Sequence, residues 1–266
     1  MKKTLLFLLL SSAIQLNAQQ TPTLNTAQTF ETDPTYWIRT ALLDETHVMA
    51  VYKSAATNAS ANVADLFGII GEINIYSGQV TWGTRFTIET DELNKPFVIP
   101  VSATKVVVGY EYTLGDDIGK ARVLTLSGTS LSAMGTAVDF SVGDFATVNG
   151  VYMGSDKFVI AHDDQENSNV GTAIVGTITG TGISFGTPKV FANTSIGVPS
   201  IKMVSSTRVV IGYENKDATN DPGEVIIGDI SGTDLTFGTA TQVNSSINVS
   251  AEVPVAVLDE STIIVA

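Results

Sequence analysis

The sequence predicts an all-β chain assembled from tandem four-stranded antiparallel units. Three observations carry this: a turn-rich, β-branched composition, self-similarity at a fixed step, and short apolar runs suited to strands covered on both faces. Charged residues make up only 15% of the 266-residue chain, and 23 residues are Gly. Short Val, Ile and Thr segments alternate with Gly, Asn, Asp and Ser clusters. That composition favours strands joined by tight turns.

The self-similarity is read with two rulers. An aromatic-Gly-Thr tripeptide appears at Trp82-Gly83-Thr84, Phe185-Gly186-Thr187 and Phe237-Gly238-Thr239, with Met134-Gly135-Thr136 as a softer copy, in steps of 52, 51 and 52. Val106 to Tyr110 recurs as Phe158 to His162 and Val209 to Tyr213, with Val48 to Tyr52 as an earlier copy. The phase is constant: Phe30 to Tyr52, Phe140 to His162 and Phe191 to Tyr213 are each 22 positions. One unit therefore holds four short β segments, such as VPSIKMVS, RVVIGYEN, EVIIGDIS and DLTFGTATQV from Val198 to Val243.

Four antiparallel strands repeated in tandem every 40 to 50 residues are the mark of a β-propeller blade. A lone sheet of this kind has two apolar faces and cannot bury both, whereas radial stacking lets neighbouring sheets bury each other. Consecutive apolar positions such as Val106-Val107-Val108 fit strands covered on both sides. A β-helix is disfavoured because its repeats run about 20–30 residues. Gly180 and Gly232 are expected in the turn before the fourth strand. Gly186 and Gly238 are expected to permit a bulge or close approach beside an inter-blade aromatic.

The expected organisation is a signal peptide over 1–18, an N-terminal segment with a lone outer strand over 19–33, blades over 34–90, 91–143, 144–195 and 196–247, and the start of a further blade over 248–266. Lys2, Lys3, a short apolar run and Ala18 give the first segment the form of a Sec leader. Thr262 to Ala266 aligns with Arg208 to Gly212, so the record is expected to be truncated inside a central strand and the ring to be incomplete. Outside the leader no apolar run is long enough to span a bilayer, so the mature chain is expected to be exported, with no membrane insertion. There is no Cys, hence no disulfide framework and no thiolate metal site. Roughly 248 residues after cleavage can supply a core without such staples. With Lys2 and Lys3 removed, the 14 basic side chains fall to 12 against 27 acidic ones. Such a surface disfavours nucleic acid and suits cations, neutral sugars or basic partners.

The unit Lys157–Phe191, KFVIAHDDQENSNVGTAIVGTITGTGISFGTPKVF, resembles the repeats of secreted β-propeller proteins found in bacterial and phage sequences. The resemblance covers nearly all of the mature chain and implies architecture while leaving activity open. The leader's NAQ end is similar to exported proteins of the Bacteroidota.

The loop between second and third strands is acidic in three units, and its carboxylates are expected on one end of the disc. Weak calcium candidates are Asp116 and Asp117, then Asp163 and Asp164, then Asn215, Asp217 and Asp221. Hard cations take six to eight such oxygens. Asn215-x-Asp217-x-Thr219-x-Asp221 resembles the calcium loops of integrin-type propellers but lacks their Gly and closing acid. Solvated turn residues are the alternative. Tyr76 to Trp82 resembles a sialidase Asp-box without its Asp. A sialidase-like site would also need three Arg around the axis and an acid pair, whereas Arg39, Arg85, Arg122 and Arg208 stand one per unit at unmatched positions. His162 fills the slot of Tyr52, Tyr110 and Tyr213, and reads as a packing residue with a polar tip. No catalytic residue and no cofactor is assigned apart from the calcium option. Three function classes remain: an exported binding propeller for a glycan, protein or cation, a secreted hydrolase with an axial carboxylate site, and a spacer or adhesin.

Overall fold

The computed structural model describes residues 27–54, 65–90, 93–113, 117–243 and 252–265. The expected leader and Asp116 lie outside them. Unit 1 comprises β1 (Thr35–Leu42), β2 (His47–Ser54), β3 (Asp65–Ile73), β4 (Val80–Trp82) and β5 (Phe86–Glu89). Unit 2 comprises β6 (Leu93–Ser102), β7 (Lys105–Tyr112), β8 (Ile118–Ser127), β9 (Ser130–Met134) and β10 (Val138–Asp139). Unit 3 comprises β11 (Val148–Gly154), β12 (Lys157–Asp164), β13 (Val170–Thr179), β14 (Gly182–Phe185) and β15 (Lys189–Ser195). Unit 4 comprises β16 (Ser200–Ser205), β17 (Arg208–Glu214), β18 (Gly223–Ser231), β19 (Asp234–Phe237) and β20 (Thr241–Gln242). A hairpin of β21 (Val255–Asp259) and β22 (Thr262–Val265) follows. No helix among the described residues is long and apolar enough to cross a membrane.

Each of the four units is an antiparallel meander, and its fourth strand is split: β4 and β5 both pair β3, and the same holds in units 2, 3 and 4. The split falls on the aromatic-Gly-Thr ruler. At each break the Gly amide still donates to the third strand, as from Gly83 to Ile70 O at 2.8 Å and Gly186 to Val175 O at 2.9 Å. Three residues then leave the ladder before pairing resumes.

The break brings blades together. A Cβ on Gly83, Gly135 or Gly186 would fall on the carbonyl oxygen of Thr129, Thr181 or Thr233, respectively. Each of these Thr residues sits in the two-residue turn before the fourth strand of the next unit. Gly128, Gly180 and Gly232 begin those turns with φ of 56°, 64° and 65°, the backbone that a Gly-first hairpin turn needs. At the three junctions from unit 1 to unit 4, the glycine after the aromatic of one unit and the turn glycine of the next thus mark the two halves of one inter-blade joint.

Blade stacking is visible along single strands. On β7, Val106, Val108 and Tyr110 enter the core shared with unit 1, while Val107 enters the core shared with unit 3. On β12, Phe158 and Ile160 face unit 2, while Val159 and Ala161 face unit 4. All eight are fully buried. Each large apolar side chain so placed contributes about 1.5–3 kcal/mol relative to exposure. The first strands β1, β6, β11, β16 and β21 contact one another in order, and so surround the axis.

Thr29 to Glu31 was expected to form a lone outer strand, and it does not: the segment has no strand pairing among the described residues. Its side chains nonetheless take the corresponding places. Phe30 packs against Tyr52 and Trp82 with ring centres 5.1 and 5.4 Å apart, and Tyr52 donates to Glu31 at 3.0 Å.

Candidate functional site at the axial mouth

The first strands of units 1 and 2 carry equivalent bulges. The register of β1 on β2 shifts between Tyr36 and Arg39, and that of β6 on β7 between Asn94 and Phe97. Each bulge holds one residue in the left-handed region, Trp37 at φ 53° and Lys95 at φ 48°. Such backbone is costly for a non-Gly residue and gathers where a side chain has to be re-aimed. The two bulges aim in opposite senses. In unit 1, Tyr36, Trp37 and Ile38 are 42%, 44% and 41% exposed. In unit 2, Lys95 turns into the protein.

Beside the exposed bulge lies a cavity of about 290 Å³ to which every unit contributes. Arg39 and Thr40 line it from unit 1, Phe97 from unit 2, Asn149 from unit 3, Val198 from unit 4 and Glu252 from the last segment. Val198 and Glu252 are joined by a parallel bridge. The Arg39 guanidinium donates to the Ile38 carbonyl at 3.1 Å, and among the described residues it forms no ion pair. The mouth therefore offers a cation, a carboxylate, an amide and a hydroxyl next to exposed aromatic faces.

A buried charged residue follows the recurrent aromatic in all four units: Lys53, Glu111, Asp163 and Glu214 are 2–5% exposed. Lys53 donates to Asn94 of the next unit at 3.0 Å. Lys95 donates to Glu111 at 2.6 Å, to Asp144 at 2.9 Å and to the Phe145 carbonyl at 2.5 Å. Burial, and then the proton shared with Asp144, push the Glu111 carboxyl up to about 7 against the pull of Lys95. For Asp144, burial is outweighed by Glu111 and Lys95, which hold its carboxyl below the usual range. This pair is one proton-sharing unit with an ammonium, not two separated carboxyls flanking a bond.

The sequence-nominated calcium ligands are spread out and mostly engaged elsewhere. Asp163 accepts from Ala146 N, Thr147 N and Thr147 Oγ1 at 3.2, 2.7 and 3.0 Å. Asp217 accepts from Ser195 N at 2.9 Å. Asn215 donates to Glu224 at 3.0 Å. Asp117 and Asp221 have left-handed backbone at φ 50° and 42°. Asp164 lies at a small cavity beside His162. Among the described residues no group of three or more His, Asp or Glu side chains converges on a metal position.

The four Arg residues also stay apart. Arg39 is at the axis, Arg85 pairs with Glu31 at 2.5 Å and lies over Phe67, Arg122 is buried against Glu89, and Arg208 meets Asp229 on the surface. Sequence reasoning missed Trp37 and the Lys95–Glu111–Asp144 cluster. Lys95 and Asp144 are 49 residues apart, and neither bulge has a local signal in the chain.

No family model matches the chain. No curated protein matches it either. Among solved structures it is similar to one described as Hadza microbial sialidase Hz136, with 8% identity and a TM-score of 0.50. The match covers 77% of this chain and 46% of that one, so this chain spans about half the length of the sialidase. At that identity the likeness concerns the fold alone, and it agrees with the propeller-like all-β architecture.

Proposed function

We propose that this chain is an exported binding propeller whose axial mouth takes a neutral glycan. The observation that carries the reading is the β1 bulge, which holds Tyr36 and Trp37 in solvent beside a cavity bearing Arg39, Thr40 and Asn149. Aromatic faces cover the apolar side of a sugar ring, while forked polar side chains receive its hydroxyls. The strained backbone at Trp37 is repaid if the side chain has a partner there. The chain has two Trp residues, so fluorescence can report on Trp37 against a Trp82→Phe background. Glycan-array binding followed by fluorescence titration is expected to reveal a saccharide ligand. Trp37→Ala is expected to weaken it at least tenfold, on the scale of one lost stacking contact. Unchanged affinity in Trp37→Ala overturns the reading.

A second reading, a secreted glycosidase, draws on the likeness to a sialidase and on Glu111, whose carboxyl near 7 suits a general acid. Release of 4-methylumbelliferone from a sialoside or a neutral glycoside, abolished by Glu111→Gln, would favour this reading over the first.

A further inference from the structure

In three of the four units the recurrent tyrosine hydroxyl is satisfied by a carboxylate. Tyr52 donates to Glu31 at 3.0 Å, Tyr110 to Glu89 at 2.7 Å and Tyr213 to Glu224 at 2.6 Å. Glu31 and Glu89 stand 21 residues before their tyrosines, and Glu224 stands opposite Tyr213 across the β17–β18 ladder. Unit 3 departs at all three places together. The tyrosine is His162, the residue 21 positions earlier is Ser141, and the cross-strand neighbour is Thr172. A shorter ring and two hydroxyls stand where a phenol and a carboxylate stand elsewhere.

The result is a cavity of about 70 Å³ between units 2 and 3, lined by Phe140, Ser141, Val142, His162, Asp164 and Thr172. Thr172 is 4% exposed and its hydroxyl has no hydrogen-bond partner, although buried hydroxyls are ordinarily paired. His162 is 3% exposed, and its Nδ1 lies 3.0 Å from the Asp163 carbonyl oxygen. A carbonyl only accepts, so Nδ1 carries the proton and Nε2 is left with a lone pair. Burial keeps the ring neutral by holding its pKa below the ordinary value. No hydrogen bond reaches Nε2 among the described residues. Ser141 is already engaged, accepting from Gly119 N at 3.2 Å and donating to Gly143 O at 2.6 Å. Nε2 and the Thr172 hydroxyl together suit a ligand group that donates to an imidazole and bonds a threonine hydroxyl.

We propose that this cavity is a binding site for a primary alcohol, either a small free alcohol or the hydroxymethyl of a larger neutral molecule. Its hydroxyl donates to His162 Nε2 and bonds Thr172 Oγ1, and its carbon rests on Phe140. An enclosed cavity of about 150 Å³ holds a benzene-sized ring, and a volume near half that suits a CH₂OH group. Asp164 beside the cavity disfavours anions. The site is separate from the axial mouth and does not rest on the glycan reading.

The test is NMR of the imidazole nitrogens in the full chain, which has only two histidines. His47, held by Asp44 at 3.0 Å, serves as the internal reference. Ethanol is titrated in one arm and methyl α-glucopyranoside in the other. Saturable displacement of the His162 Nε2 resonance, with His47 still, supports the site. Saturation by ethanol alone identifies a free alcohol as the ligand, and saturation by both identifies a hydroxymethyl group. Thr172→Val keeps the reporter and removes the orphan hydroxyl, so the apparent affinity is expected to fall about two- to tenfold, the worth of one hydrogen bond. Absence of a saturable shift in both arms, or equal affinity in Thr172→Val, overturns the proposal.

Discussion

Two blade junctions use the same slots with opposite chemistry. Between units 3 and 4, Phe191, Tyr213 and Phe237 form an aromatic triad, with Phe191 5.4 Å from the Tyr213 ring and 5.8 Å from the Phe237 ring. Between units 1 and 2 the corresponding positions are Ile88, Tyr110 and Met134. There Arg122 stands where Ile226 stands in unit 4, since Arg122 pairs with Val108 and Ile226 with Ile211. Its guanidinium donates to the Ile88 carbonyl at 2.7 Å and Tyr110 at 3.1 Å, and to the Glu89 carboxylate. Met134 sulfur lies 3.2 Å away. Where rings are lost, a forked cation fills the gap. The substitution is incomplete, because Arg122 Nε has no partner. One junction draws on dispersion and area; the other depends on every polar partner being kept.

The strongest blow to the aromatic side is Phe191→Ala. It empties a buried slot and is expected to cost about 3–5 kcal/mol in urea unfolding. Arg122→Ala strips the ionic junction and leaves Glu89 without its cation, with an expected loss of about 2–4 kcal/mol. The contrast sharpens if Arg122→Ile is combined with Met134→Phe, which rewrites this junction in the other's terms. Because Glu89 still lacks its cation, that pair is expected to recover only part of the loss seen in Arg122→Ala, and the remainder reads the cost of the unpaired carboxylate.

A third test uses pH at the junction between units 2 and 3. Glu111 is raised from 4.5 to about 7, so the folded state binds the extra proton between those values. Stability is expected to fall as pH rises from about 4.5 to about 7, by on the order of 1–3 kcal/mol. Glu111→Gln should flatten that slope in denaturation curves taken across the window. The smallest effect is expected from tyrosine-to-phenylalanine changes. Tyr213→Phe removes the 2.6 Å bond to Glu224 and should cost about 1 kcal/mol. Tyr110→Phe should cost less, because Arg122 still holds Glu89.

The blade architecture was legible because the repeat repeats its packing: the step and phase of the aromatic ruler report which faces meet. The splitting of the fourth strand was not legible, since Phe237-Gly238-Thr239 reads as continuous strand until the register with β18 is known. The tyrosine–carboxylate bond was half visible. Glu31 to Tyr52 and Glu89 to Tyr110 share a spacing of 21, but unit 4 takes its carboxylate from Glu224, across the ladder, and unit 3 has none. His162 does pack as its slot suggested, 5.8 Å from Phe140 and 5.9 Å from Phe145. What its identity could not convey is the space left when Ser141 and Thr172 also depart from the pattern. Trp37 and Lys95 were hidden for another reason: a bulge is chosen by tertiary pairing, and nothing in Tyr36-Trp37-Ile38 or Asn94-Lys95-Pro96 announces one.

The joint between a glycine of one blade and the threonine carbonyl of the next has a further consequence. The partners are a glycine on one side and a threonine, carbonyl and side chain together, on the other, so the fit depends on those two positions and not on the side chains around them. A gene segment encoding one unit can be duplicated, lost or exchanged without rewriting its neighbours' contacts at that point, while any β-carbon at the glycine would wedge the pair apart. Loops such as the one bearing Asn169 are then free to diverge copy by copy, on a hub whose fasteners repeat at the three junctions from unit 1 to unit 4.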